Sequence, residues 1–174
     1  VDLPVNGQRH VDMRNGLSVP PRLTAKTVFD VMRRPAWAWR ILRGKRKTFA
    51  NVDGHLPGGS GFGGMTLAEW THSQFDVTVS WKDVAWIRSI WPGKLVLKGI
   101  LVPEDAREAL KSGADGVVVS NHGGRQLDGA PSTIAALPKV ADAIGGQKEV
   151  LIDSGIRTGQ DIFRALALGA NACM

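Results

Sequence analysis

Tyrosine is absent from the 174 residues, and cysteine occurs once, at Cys173. One cysteine excludes a disulfide framework within the chain and points to a reducing compartment. No apolar run reaches the ~18 residues of a bilayer-spanning helix. Acid is missing from one window. Arg33, Arg34, Arg40, Arg43, Lys45, Arg46 and Lys47 stand between positions 33 and 47 with neither Asp nor Glu among them. The whole chain carries +6, so the rest of it sums to −1 and the basic character is local. Trp37 and Trp39 lie inside that window. Such a segment suits an anionic membrane surface, with rings at the interface and cations on the headgroups. A solvated helix face and a nucleic-acid contact are the alternatives.

What is present supports a core. Apolar residues make up 43% of the sequence, and its length suffices for one ordinary domain. The chain opens at Val1 without Met and stops at Met174, where an apolar strand begins near Ala172. Both features lead us to expect a piece of something longer.

Residues 1–22 read as irregular, and 24–43 as helical with a break at Pro35. Residues 51–66 are glycine-rich and expected to be mobile. Gly59, Gly61 and Gly64 match the spacing of a dinucleotide fingerprint, but Asp53-Gly54-His55-Leu56-Pro57 before them is no strand, so the match is set aside. We group 24–79 as a basic, glycine-rich, membrane-facing insertion within a single incomplete domain spanning 1–174.

From Ser80 the pattern becomes regular. Trp81 to Trp91 reads as an amphipathic helix with Val84, Ile87 and Trp91 inward and Lys82, Asp83, Arg88 and Ser89 outward. Leu95-Val96-Leu97 reads as a strand, Pro103 onward as a helix closed by Gly113, Val117 to Val119 as a strand, and Ser132 to Ile144 as a helix despite Pro138. Val150-Leu151-Ile152 reads as a third strand, followed by a helix capped by Thr158 and stopped by Gly169. Solid apolar strands alternating with helices mean a parallel sheet covered by helices. The fold class is α/β. We expect the C-terminal half to two-thirds of a (β/α)8 barrel, truncated at both ends, with a doubly wound sheet as the alternative.

Chemistry-bearing residues gather where these strands end. Lys98 follows the first. Ser120-Asn121-His122-Gly123-Gly124-Arg125 follows the second, and Asp153-Ser154-Gly155-Ile156-Arg157 the third. Histidine suits proton transfer near neutral pH, and arginine can grip a carboxylate with two parallel hydrogen bonds. Gly155, Ile156 and Arg157, just before a helix, offer amides and a cation to a phosphate. A flat phosphorylated cofactor with a small carboxylate stacked on it fits the set. Taken singly, Lys98 could be a snorkelling lysine, Arg157 a surface cation, and His122 a hydrogen-bonded loop residue.

These motifs, Leu97-Lys98-Gly99, Ser120 to Asp128 and Asp153 to Arg157, resemble the FMN-dependent L-2-hydroxy-acid dehydrogenases and oxidases. The resemblance spans nearly the whole chain and looks closest to membrane-associated bacterial L-lactate dehydrogenases, with mandelate dehydrogenase and glycolate oxidase as relatives. It implies FMN as cofactor, held by Lys98, Ser120, Asp153, Ser154, Gly155 and Arg157. It implies His122 as catalytic base and Arg125 as the substrate-carboxylate cation. It also implies Asp2 as the partner of His122 and Arg9 as a second cation. The reaction implied is oxidation of L-lactate to pyruvate, with electrons passed to a quinone-type acceptor. Other implications are a peripheral site on the cytoplasmic face of the inner membrane through residues 33–47, no nucleic acid, and a homo-oligomer when complete. Readings kept beside it are an oxidase or dehydrogenase for mandelate or glycolate, an isomerase-type FMN barrel, and a non-catalytic membrane or nucleic-acid binding module. The isolated fragment is expected to be inactive.

Overall fold

The computed structural model describes residues 10–16, 24–44, 76 and 78–174, which divide into two units, 10–76 and 78–174. The expectations for Asp2, Arg9, 45–47 and 51–66, and the glycine spacing at 59–64, lie outside the described residues.

In the first unit, α1 (His10–Arg14), α2 (Ala25–Met32) and α3 (Pro35–Arg43) are short. The Thr24 hydroxyl accepts from the Thr27 amide at 3.2 Å, while the Thr24 amide donates to the Thr27 hydroxyl at 2.8 Å, which fixes the start of α2. Pro35 opens α3, where its missing N–H costs nothing. Neither α2 nor α3 buries a residue. Phe29, Met32, Trp37, Trp39, Ile41 and Leu42 are each more than half exposed. Arg43 lies over the Trp39 ring at 4.1 Å and Arg33 over Phe29 at 5.7 Å.

The second unit runs α4 (Trp81–Ile90), β1 (Val96–Lys98), α5 (Pro103–Lys111), β2 (Gly116–Val119), a 3₁₀ turn (His122–Gly124), α6 (Thr133–Ile144), β3 (Glu149–Ile152), α7 (Gly159–Ala167) and β4 (Ala172–Cys173). The four strands are parallel and lie in the order β1-β2-β3-β4. A sheet that adds each strand beside the last, without a reversal of order, grows as a barrel does and not as a doubly wound sheet. Gly116 lets β3 approach, since a Cβ there would stand 3.0 Å from the Glu149 carbonyl oxygen.

One face of the sheet carries Leu97, Val117, Val119, Val150 and Ile152, packed with Ala106 and Ala109 of α5 and with Leu137, Val140 and Ile144 of α6. Pro138 removes a hydrogen bond from α6 and costs ~3 kcal/mol or more. Leu137, Val140 and Ile144 are fully buried, at about 1.5–3 kcal/mol each, so packing outweighs the proline.

Two helices differ from their sequence readings: α1 lies within the stretch 1–22 read as irregular, and α4 turns a charge inward. Arg88 on α4 turns inward: its guanidinium meets Asp115 at 3.0 Å and donates to the carbonyls of Trp91 and Gly93. Trp91 is 53% and Ile87 37% exposed. Asp115 also accepts from the Leu95 amide at 3.0 Å and from Lys94. That carboxylate ties the end of α4 to the start of β1. A periodicity count assigns every charge to water and misses such an anchor.

Candidate active site at the strand ends

Lys98 pairs in register with Val118, and Val118 with Leu151. Register partners in a parallel sheet share a face, and side chains alternate with period two. Ser120 and Asp153 therefore emerge on the face of Lys98, one step nearer the carboxyl ends. Lys98 Nζ lies 2.9 Å from Ser120 Oγ and 3.0 Å from Asp153 Oδ2. Ser120 is buried, and its Oγ also accepts from the His122 amide at 3.2 Å. Ser154 Oγ donates to Asp153 Oδ1 at 2.6 Å and accepts from the Gly123 amide at 3.0 Å.

Burial alone would raise the pKa of Asp153. Hydrogen bonds from Ser120, Ser154 and Lys98, with the lysine's charge, outweigh it and hold the carboxyl below its ordinary 3.8. The ionised carboxylate in turn fixes the ammonium. His122 opens the 3₁₀ turn, and Gly123 within it has φ +67°. Arg125 follows, exposed, and its side chain makes no hydrogen bond or ion pair among the described residues. Arg157 is likewise exposed and without a side-chain partner there.

The phosphate reading needs one adjustment. Asp161 Oδ2 accepts from the amides of Arg157 and Thr158 at 3.2 and 3.0 Å, so the chain's own carboxylate takes the amides next to α7. The amides of Gly155 and Ile156 donate to no group among the described residues.

Two helpers escaped the sequence reading. Thr133, 2% exposed, lies with its Oγ1 2.8 Å from the Asp153 carbonyl oxygen and 2.9 Å from that of Ser154. Asn121 donates from Nδ2 to the Pro131 carbonyl at 3.1 Å and so closes the loop that carries Arg125. The signal for Thr133 was a hydroxyl at a helix start, which sequence alone assigns to capping.

A phosphorylated, polar-edged planar cofactor fits these residues. Lys98, Arg125 and Arg157 supply cations, and a Cβ added at Gly99, Gly124 or Gly155 would meet nothing within 4 Å. The open space thus lies beside the charges. Asn121 Oδ1 is buried without a partner, a polar atom ready for one. The described residues contain no cluster of groups able to hold a metal ion.

A family model described as FMN-dependent dehydrogenase matches residues 1–174. The chain belongs to the FMN-dependent dehydrogenases. It is 48% identical to an L-lactate dehydrogenase of Vibrio cholerae over 179 residues, covering all of this chain and 46% of the relative. An L-lactate dehydrogenase of Pseudomonas aeruginosa is also 48% identical, over 175 residues and 45% of its length. Among solved structures, the monotopic membrane protein (S)-mandelate dehydrogenase superposes with a TM-score of 0.85 at 40% identity, covering all of this chain and 45% of that one. A mandelate oxidase bound to (S)-2-phenylpropionate gives 0.55 at 49% identity over 59% of this chain and 31% of that one. The chain spans about half the length of the curated relatives it matches. As an FMN-dependent dehydrogenase it carries the α/β barrel architecture expected from its strand pattern, in part. The structure brings Lys98, Ser120, Asp153, Ser154 and the His122 turn of this family member into one bonded group.

Proposed function

We propose that this chain supplies the base, the substrate cation and part of the flavin seat of an enzyme that oxidises an L-2-hydroxy acid, L-lactate to pyruvate. One observation carries the reading. Lys98 is fixed by Asp153 and Ser120 at the strand ends, beside a turn that presents His122 and then an open Arg125.

In this reading Lys98, Ser120, Asp153, Gly155 and Arg157 hold FMN, with Ser154 in the same loop. When bound, the flavin supplies a two-electron acceptor. Lys98 presents its ammonium to negative charge. Arg125 holds the substrate carboxylate by paired hydrogen bonds, with Arg9 as a second cation. His122 takes the proton released from the substrate at a ring nitrogen, and Asp2 stabilises the imidazolium that results. The test is anaerobic addition of L-lactate, D-lactate and L-mandelate to the flavin-loaded holoenzyme. Loss of the visible flavin band with L-lactate and not with D-lactate supports the reading. Bleaching by L-mandelate alone moves the substrate to an aromatic acid, and absence of bound flavin refutes the seat.

The reading of the acceptor rests on the helical unit. No described helix is long and apolar enough to cross a membrane. Yet α3 sets Trp37, Trp39, Ile41 and Leu42 at the surface among arginines, as an interfacial element does. That surface supports a peripheral membrane position, which we read as the cytoplasmic face of the inner membrane with a quinone-type acceptor in the bilayer. Removing residues 33–47 from the holoenzyme should abolish sedimentation with anionic vesicles. Unchanged partition would refute the membrane seat.

A further inference from the structure

We infer that Ser154 is a positioning residue, a latch that holds the His122 turn against the Lys98–Asp153 pair. The inference rests on His122 as the base of the reaction proposed above. Among the described residues two non-glycines have positive φ, His122 at +56° and Ser154 at +69°. Each such residue costs on the order of 1 kcal/mol or more. A glycine at 154 would take that backbone freely, so a serine there needs a reason in its hydroxyl.

The hydroxyl has one. Its proton goes to Asp153 Oδ1 at 2.6 Å, and its oxygen accepts from the Gly123 amide at 3.0 Å. With the donor engaged, no proton is left to offer a ligand. The carbonyls on either side of the Asp153–Ser154 link converge on Thr133 Oγ1, buried at the start of α6, so the loop that carries the latch is itself anchored.

A closed circuit results. Lys98 bonds to Ser120, Ser120 accepts from the His122 amide, Gly123 donates to Ser154, Ser154 donates to Asp153, and Asp153 returns to Lys98. The turn that carries the imidazole is thus held under two successive amides, from β2 by Ser120 and from β3 by Ser154. Losing one of the two removes one of the turn's backbone tethers. The base would then sit at a wider range of distances from the substrate, and an error of ~1 Å in such a group can cost on the order of a hundredfold in rate.

The experiment compares Ser154→Gly and Ser154→Ala in the holoenzyme. Both lose the hydroxyl, and glycine also relieves the left-handed backbone, so it folds even where alanine does not. We expect residue-resolved exchange of the Gly123 amide to speed up about tenfold in both, which corresponds to ~1.4 kcal/mol of lost hydrogen bonding. We expect kcat to fall on the order of tenfold, KM and the FMN dissociation constant to stay within about threefold, and the base limb of the pH–rate profile to shift. Unchanged Gly123 exchange would overturn the latch. Weakened FMN binding with full kcat at saturating FMN would also overturn it, by giving the hydroxyl to the cofactor. A wild-type protein that oxidises no hydroxy acid would defeat the proposed function, while Gly123 exchange in the variants would still decide the contact itself.

Discussion

Thr133→Val is the sharpest test of how the strand-end loop is held. Valine matches threonine in shape and removes only the hydroxyl. Thr133 is 2% exposed, and its Oγ1 is within 2.8 and 2.9 Å of two carbonyl oxygens, those of Asp153 and Ser154. One proton is shared between them, so the net gain from bonding is about 1 kcal/mol. Leaving a carbonyl without its donor adds about 1 kcal/mol more, and valine should lose ~2 kcal/mol in all. With a urea m-value of ~2 kcal/mol/M the midpoint would fall by about 1 M. Thr133→Ser keeps the hydroxyl and deletes one buried methyl, worth about 1 kcal/mol. The order expected from urea titration of the full chain is therefore wild type, then serine, then valine. Valine equal to serine or better would mean that the hydroxyl holds nothing, and the anchoring role of Thr133 would fall.

Arg125→Met should raise KM for the hydroxy acid by about 10- to 100-fold, the range for hydrogen bonds to a charged group, and leave FMN affinity within threefold; steady-state kinetics and a flavin titration check both. His122→Gln should cost kcat on the order of 10²–10⁴-fold with bound flavin retained, and a smaller loss would remove it as the base. The pKa values of Asp83, Asp115, Asp153 and Asp161 are all held below 3.8. The unfolded chain therefore takes up protons first as pH falls, so the stability these groups give is present above that value and is lost below it. The urea midpoint should stay level between about pH 7 and 5 and drop below about pH 4, whereas a midpoint that rises there contradicts the assignments. The 174 residues expressed alone should bind FMN weakly and turn over little, and efficient turnover would refute the idea that the seat needs further strands.

Strand and helix order from Ser80 onward was legible because the pattern is strong there. Buried parallel strands are continuous apolar runs, and Gly93, Gly113 and Gly169 punctuate them. The strand ends were legible too, since each apolar run stops at a polar cluster. Contacts between those clusters were not. Sequence shows that Lys98, Ser120 and Asp153 end three strands, but only the register puts them on one face and within hydrogen-bond reach. Arg88 shows the same limit from the other side. Nothing local distinguishes an arginine that caps carbonyls and pairs with Asp115, 27 positions away, from one in water. Long-range polar contacts carry no periodic signature.

Lys98 shows why register matters for chemistry as well as for packing. Lys98, its side chain 42% exposed, would have no fixed position at the strand ends if it were alone. Here the next strand delivers a buried hydroxyl and the one after it a carboxylate, each one pleat beyond the lysine's own level. The long lysine stem spans that step. A shift of β3 by one residue would turn Asp153 to the helix side and leave the ammonium facing Ser120 without a counter-charge. The same shift would carry Val150 and Ile152 out of the core, where both are nearly or fully buried. The hydrophobic pattern that sets the sheet therefore also sets the charge pair, and a mutation that loosens the core around Ile152 should disturb the Lys98–Asp153 pair without changing either residue.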